Sequence, residues 1–147
     1  MKTFSDYEVG ARFALTAPAL SKDDIIAYAR QFDPQPMHLD EEAGKQSILG
    51  GLAASGWHSI SVIQSTLTTQ IFMDSAFGGL TGIPELRWQK PVYPDTPFAI
   101  EAEIIAREDS ADLPGFGLLT LDCSMSDQQT GTVLTKATLK VRMGGAA

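Results

Sequence analysis

The longest stretch of this chain without glycine or proline spans residues 57–77, and it limits the folds open to the sequence. An apolar stripe recurs within it at helical spacing and consists of Ile60, Ile63, Leu67 and Ile71. The many serine, threonine, isoleucine and valine residues there have mediocre helix propensity, so local preference also permits strands. The length favours a helix at about residues 57–74, with its stripe buried against a sheet.

Beyond residue 80 the pattern is typical of strands. The predicted strands are approximately Leu80–Gln89, Phe98–Arg107, Phe116–Ser126 and Val133–Arg142, and Arg12–Ala17 is a further candidate near the start. Proline, glycine and aspartate separate the four later segments. In the second of them, charged and apolar residues alternate with the period of a half-buried strand. Helices first and meandering strands later predict an α+β fold with an antiparallel sheet.

Length and charge narrow the possibilities. The 147 residues suit one domain, residues 1–147, with a substantial hydrophobic core. The formal net charge is -7, and both nucleic acids and anionic membranes require a basic footprint, so we expect neither as a partner. The single cysteine, Cys123, permits no internal disulfide and no cysteine-based metal site. No motif for a metal or redox cofactor is visible, so we expect no cofactor.

The sequence also bears on localisation. Its N-terminal segment has no apolar core of a secretory signal, and no run of about 18 apolar residues occurs. Together with the sparse cysteine, these features lead us to expect a cytoplasmic protein.

A capping-box pattern predicts the start of an early helix. Ser21 is placed as its N-cap and Asp24 as its third residue. The helix is expected to end near Phe32, because Pro34 and Pro36 cannot continue it and restrict the residue before each. A second, short helix is predicted at about residues 41–46.

The segment after Phe32 carries the candidate chemistry. Residues 33–38 read Asp-Pro-Gln-Pro-Met-His and are predicted to form a rigid, extended loop that holds Asp33 and His38 at one point. A carboxylate and an imidazole that share a water can act as an acid–base pair. Gly56, at the start of the long helix, would add an unpaired N–H for a developing oxyanion. These three groups suit enolate chemistry on a carbonyl compound.

Other candidates have structural interpretations. His58 lies in the first turn of the predicted long helix, where the dipole disfavours its charged form. We expect it to be a packing or interface residue. Trp57 is expected in the core or in a pocket wall, and Cys123 as a small buried apolar residue.

Three segments resemble the MaoC-like dehydratases, a family that includes (R)-specific enoyl-CoA hydratases. Residues 32–40, Phe-Asp-Pro-Gln-Pro-Met-His-Leu-Asp, resemble the family pattern D-x-N-P-x-H followed by an acidic residue. Residues 50–58 resemble the loop that opens the family's central helix, and residues 86–96 resemble its R-x-x-x-P-V-x-P-G-D segment. The segments occur in the family's order, and the resemblance covers most of the chain.

The resemblance implies a hot-dog fold, in which a curved antiparallel sheet wraps around one long helix. It implies that Asp33 and His38 are the catalytic pair and that the Gly56 N–H binds the thioester oxygen. The implied reaction is reversible addition of water to a 2-enoyl thioester, as in an enoyl-CoA hydratase or 3-hydroxyacyl-CoA dehydratase. The resemblance also implies an acyl-CoA partner bound near a subunit interface of a homodimer or higher homo-oligomer. Gln35 and Trp57 are the candidate substrate-binding residues.

The chain departs from the family pattern at three places. Gln35 replaces the usual asparagine, Gln31-Phe32 replaces a Ser-Gly pair, and Pro94-Asp95 lacks the glycine of the family turn. These changes affect the expected substrate more than the expected reaction.

Two alternative functions stay open at this point. A hot-dog thioesterase would carry a carboxylate on or beside the central helix, where the first acidic residue is Asp74, near the far end. Because the same fold hosts several chemistries, fold alone does not decide. The other alternative is a non-catalytic module that binds acyl thioesters.

Overall fold

A computed structural model describes residues 1–147, in which every helix precedes the four long strands. The helices are α1 (Lys22–Phe32), α2 (Pro36–Leu39), α3 (Glu41–Gln46) and α4 (Gly56–Leu67). The strands are β1 (Arg12–Ala17), β2 (Phe77–Trp88), β3 (Phe98–Asp109), β4 (Phe116–Asp127) and β5 (Val133–Gly144). None of the helices has the length and apolar character that crossing a membrane requires.

The five strands form one antiparallel sheet in the order β1-β3-β4-β5-β2. Alternation along β3 fixes which face is inside, since Ile100, Ala102 and Ile104 are buried while Glu101 is exposed. The sheet covers α4, so the predicted α+β class and the hot-dog arrangement of a sheet around a central helix are confirmed.

The apolar stripe of α4 fills the space inside the sheet. Ile60, Ile63 and Leu67 belong to the main hydrophobic core, and the last two are fully buried. Each such side chain contributes about 1.5–3 kcal/mol relative to an exposed position. Cys123 joins this core from β4 as predicted, and burial raises the pKa of its thiol to about 12.

The central helix is shorter than predicted. The α-helical geometry ends at Leu67, and residues 68–72 continue as a π-helical turn. Hydroxyls donate to carbonyls one turn back, Thr66 to Val62 at 2.8 Å and Thr69 to Ser65 at 2.8 Å. Such bonds compete with the backbone hydrogen bonds of the helix for the same carbonyl oxygens. This competition accounts for the wider turn in a threonine-rich segment.

The start of α1 is as predicted. Ser21 Oγ accepts the N–H of Asp24 at 3.0 Å, and the Asp24 carboxylate accepts the N–H of Ser21 at 3.1 Å. The prediction of a rigid, extended loop at residues 33–38 is wrong in its second half. Pro36 begins α2, because a proline in the first turn of a helix needs no N–H partner and has the required φ.

The turn before β3 explains one departure from the family pattern. Asp95 has a φ of 64°, in the left-handed region that glycine adopts without steric cost. Aspartate is among the few other residues that tolerate this conformation. Asp95 therefore occupies a glycine-like position, and its N–H donates to the carbonyl of Leu20 at 2.9 Å.

Candidate active site

Three of the helices, α1, α2 and α4, bring the candidate groups together. Asp33 directly follows α1, and its backbone N–H donates to the carbonyl of Ala29 at 2.8 Å. His38 lies in α2, and Ser55 is the N-cap of α4. A carboxylate, an imidazole and a hydroxyl therefore meet where α1 ends and α4 begins.

Asp33 and His38 face each other directly. Asp33 Oδ2 lies 3.5 Å from His38 Nε2, which is longer than a usual N–H···O hydrogen bond. The two side chains are 18% and 7% exposed, so solvent reaches this pair only partly and mainly from the Asp33 side. The structure unites the two predicted side chains, while their catalytic role stays a prediction.

The tautomer of His38 follows from its second contact. Its Nδ1 lies 2.6 Å from the carbonyl oxygen of Ala53. Because a carbonyl oxygen only accepts hydrogen bonds, Nδ1 carries the proton. Nε2, which faces Asp33, is therefore the atom that can take up or release a proton.

The Asp33 carboxylate accepts one hydrogen bond on each oxygen. Ser55 Oγ donates to Oδ2 at 2.7 Å, and Gln35 Nε2 donates to Oδ1 at 2.8 Å. Burial raises the pKa of Asp33, but the hydrogen bonds from Ser55 and Gln35 and the electrostatic influence of His38 together outweigh it. The net pKa is lowered, so Asp33 is ionised at neutral pH and held in a fixed orientation.

The first turn of α4 leaves one backbone donor free. The N–H groups of His58 and Ser59 donate to the Ser55 carbonyl, and that of Trp57 donates to Ser55 Oγ. The N–H of Gly56 has no acceptor within the protein. The positive end of the helix dipole adds to this site, so the Gly56 N–H suits a developing negative charge.

Trp88 of β2 covers Gly56. Its indole Nε1–H donates to the Gly56 carbonyl at 2.9 Å. A Cβ atom at position 56 would lie 2.5 Å from the indole ring, so only glycine fits beneath Trp88. Trp57 packs edge-on against Trp88 at 5.7 Å and is 54% exposed. Of its two predicted settings, the core is therefore wrong, and the pocket wall stays a prediction.

Sequence reasoning missed two of these contacts. Ser55 was part of a matched segment but had no assigned role, although a serine just before a helix start indicates an N-cap. No local signal indicates Trp88, because its contact with Gly56 spans 32 positions of the chain. A concavity of about 720 Å³ lies against the outward face of the sheet and includes none of the predicted site residues.

The comparisons with known proteins find a matching family model and a related protein. The family model described as MaoC like domain matches residues 7–113. The chain is 29% identical over 125 residues to the uncharacterized protein YdeM of Bacillus subtilis (strain 168), covering 84% of this chain and 86% of that protein.

Solved structures extend the comparison to the whole chain. A MaoC-like dehydratase from Rhodospirillum rubrum is 32% identical with a TM-score of 0.83, and the match covers 100% of this chain and 99% of that chain. The R-hydratase PhaJ1 from Pseudomonas aeruginosa shares the fold, with a TM-score of 0.73 and 19% identity over 98% of this chain and 86% of that chain.

Proposed function

Because this chain belongs to the MaoC-like domain family, we propose that it is a hydro-lyase that reversibly adds water to the double bond of a 2-enoyl thioester. One observation carries the proposal. An ionised Asp33 lies 3.5 Å from the free Nε2 of His38, beside a helix start whose first N–H, that of Gly56, has no partner. These are an acid–base pair and an oxyanion donor in one place.

In the hydration direction, Asp33 and His38 orient one water molecule that contacts both Oδ2 and Nε2 from the side. The pair takes one proton from this water while its oxygen bonds to the β-carbon. The electron pair of the double bond moves towards the thioester carbonyl and forms an enolate-like intermediate. The pair then returns one proton to the α-carbon on the same face, so that one water is added in total.

Gly56 stabilises the charge that develops on the thioester oxygen. Its free N–H at the start of α4 donates to this oxygen, and the helix dipole has the matching sign. Such preorganised donors are stronger in a water-restricted site, and removal of one typically costs about 10²–10³ in rate. The reaction in this form needs no metal or redox cofactor.

The two substrate-binding candidates take different roles in this proposal. Gln35 uses its Nε2 on Asp33, so it orients the carboxylate and has its Oε1 left for a ligand. Trp57 is exposed beside Gly56 and forms one wall of the entrance for the thioester.

We further propose that the protein is a homodimer and that its ligand is an acyl-CoA thioester. β2 pairs only with β5, so its other edge presents unpaired backbone groups that suit pairing with a second copy. Trp88 ends this strand and covers Gly56, which places the proposed interface beside the proposed site.

No observation favours a thioesterase. Helix α4 carries no aspartate or glutamate. Asp74 lies beyond it, with a side chain that is 90% exposed and pairs with the terminal amino group at 3.7 Å. A carboxylate there is remote from the thioester site at the other end of the helix.

The test follows the absorbance of the conjugated thioester with purified protein and a panel of short, medium and branched 2-enoyl-CoA substrates. The proposal predicts loss of this absorbance, and it predicts that Asp33→Asn and His38→Ala each abolish the reaction. Unchanged absorbance with every substrate refutes the hydratase proposal. In that case, release of free thiol indicates a thioesterase, and tight binding that His38→Ala does not alter indicates a binding module.

A further inference from the structure

A second cavity, of about 310 Å³, lies between α1, α4 and the connection that follows β1. One wall is apolar and includes Ala17, Leu20 and Val62. The lining also includes hydroxyl groups, among them those of Ser61 and Ser65 of α4. Its volume is at the lower end of the range for small-molecule sites, so it suits a group of a few atoms.

His58 lines this cavity with an imidazole that has no partner. The residue is 8% exposed, and neither ring nitrogen makes a hydrogen bond within the protein. Nδ1 is fully buried, so Nε2 is the nitrogen that can meet a ligand in the cavity. Buried polar groups nearly always have a partner, so an unpartnered imidazole facing a cavity indicates a ligand site.

The imidazole is held in place by its neighbours. It stacks on the ring of Tyr28, with 4.2 Å between ring centroids and 8° between their planes. The Tyr28 hydroxyl is in turn 3.2 Å from Ser61 Oγ. The His58 ring therefore presents its nitrogens in a fixed direction, as a preorganised recognition group does.

The cavity is suited to an uncharged group. Burial lowers the pKa of His58 and outweighs the opposing effect of the Asp24 carboxylate, so the ring is neutral at pH 7. No charged side chain lines the cavity. An anionic substituent would lose its hydration there without gaining a cation, whereas a hydroxyl or carbonyl gains a hydrogen bond.

The cavity begins close to the candidate active site. Ser55, which donates to Asp33, precedes His58 by three residues on α4, a rise of about 4.5 Å. Tyr28 also packs on Phe32, the residue before Asp33, with ring centroids 5.1 Å apart. From His58 the cavity extends along α4 towards Thr66, away from Asp33.

We propose that this cavity receives the far end of the acyl group and that His58 hydrogen-bonds an uncharged oxygen-bearing substituent on it. The inference rests on the proposed function for the acyl thioester as ligand. It narrows the substrate class to acyl thioesters with a hydroxyl or keto group beyond the reacting carbons, in preference to plain alkyl chains.

The test measures binding calorimetrically with saturated acyl-CoA thioesters, which cannot be hydrated. Hexanoyl-CoA and 5-hydroxypentanoyl-CoA form a matched pair, because their acyl groups are of equal size. Matched pairs that are one carbon shorter and one carbon longer locate the chain length at which the hydroxyl group reaches His58. We expect the hydroxylated member of one pair to bind about tenfold more tightly, the effect of one net hydrogen bond. Glutaryl-CoA, which carries a carboxylate, is expected to bind most weakly.

Two substitutions at His58 separate recognition from packing. His58→Phe keeps the stack on Tyr28 but removes both nitrogens, so it should abolish the preference for the hydroxylated ligand. His58→Asn keeps hydrogen-bonding atoms without the ring and should retain part of the preference, which covers the case in which the phenylalanine variant does not fold. Ser124→Ala, in β4 and away from this cavity, is the control and should keep the full preference.

The outcomes distinguish this inference from the proposed function. Equal binding of both members in every pair overturns the inference, and so does a preference that survives in His58→Phe. If equal binding is found but 2-enoyl-CoA substrates are hydrated, the proposed function stands and only the cavity inference fails. A preference that depends on His58, without hydration of any substrate, supports the cavity assignment and refutes the hydratase. Failure of every thioester to bind refutes both.

Discussion

The indole N–H of Trp88 donates to the carbonyl of Gly56 at 2.9 Å, and the indole ring occupies the place where a side chain at position 56 would lie. One contact thus selects glycine at the start of α4 and fixes the peptide group that carries the proposed oxyanion donor. This relationship between β2 and α4 has consequences that can be measured as free energies.

We expect Gly56→Ala to lower the free energy of unfolding by about 1–3 kcal/mol, because the new methyl group overlaps the Trp88 ring. In a Trp88→Ala background the ring is absent, so the same substitution should cost much less. A double-mutant cycle by urea denaturation measures this coupling. Additive effects of the two substitutions would show that the ring does not restrict position 56.

Ser55→Ala should destabilise the protein in a pH-dependent way. It removes the N-cap of α4 and the hydrogen bond to an ionised carboxylate, for a combined loss of about 2 kcal/mol at neutral pH. The folded-state pKa of Asp33 is depressed below 3.8, so the Asp33 part of this stabilisation is present above pH 3.8 and is lost as the pH falls through the folded pKa.

Urea denaturation of wild type and Ser55→Ala at pH 7 and at pH 3 tests the direction of this pH dependence. The difference between the two proteins should shrink at the lower pH. An equal difference at both pH values would show that the ionised form of Asp33 does not contribute.

Gln35→Glu should shift the pH dependence of the proposed activity. The substitution replaces an amide donor, 2.8 Å from Asp33 Oδ1, with a carboxylate of the same shape. Two carboxylates at this distance cannot both ionise easily, so the pKa of Asp33 rises. The acidic limb of the kcat/KM profile then moves to higher pH, and the rate at neutral pH falls. Gln129→Glu, at an exposed turn, is the control and should leave the profile in place.

Asp95→Gly tests the glycine-like turn. Because Asp95 has a φ of 64°, glycine should be tolerated there or should stabilise the protein by up to about 1 kcal/mol. Asp95→Val places a β-branched residue in the same conformation and should cost about 1–3 kcal/mol. The urea midpoints of the two variants, provided that the m-values are unchanged, give both changes in the free energy of unfolding. Greater stability of the valine variant would contradict the left-handed conformation.

Local patterns predicted most of the fold. The capping box at Ser21, the turn residues between strands and the stripe on α4 each act over a few residues, and their elements lie close to the predicted bounds. The π-helical turn at residues 68–72 was not predicted, because it depends on how threonine hydroxyls compete for carbonyls within a buried helix. The α2 turn differs from the prediction because a proline such as Pro36 can begin a helix as well as end one.

In the candidate site, too, contacts within a short segment could be predicted and long-range contacts could not. Asp33 and His38 stand on one short segment, so their spacing indicated that they meet. The Ala53 carbonyl, which sets the His38 tautomer, and the Trp88 indole come from other elements and depend on packing. The stacking of His58 on Tyr28 likewise joins two helices, which no local pattern could show.

The most direct test of the central claim follows hydration of 2-butenoyl-CoA in D₂O by proton NMR. If the Asp33 and His38 pair both activates water and protonates the α-carbon, the product carries its hydroxyl and its deuterium on the same face, and Asp33→Asn gives no product. Addition to opposite faces, or product formation by Asp33→Asn at the wild-type rate, would contradict a single acid–base pair.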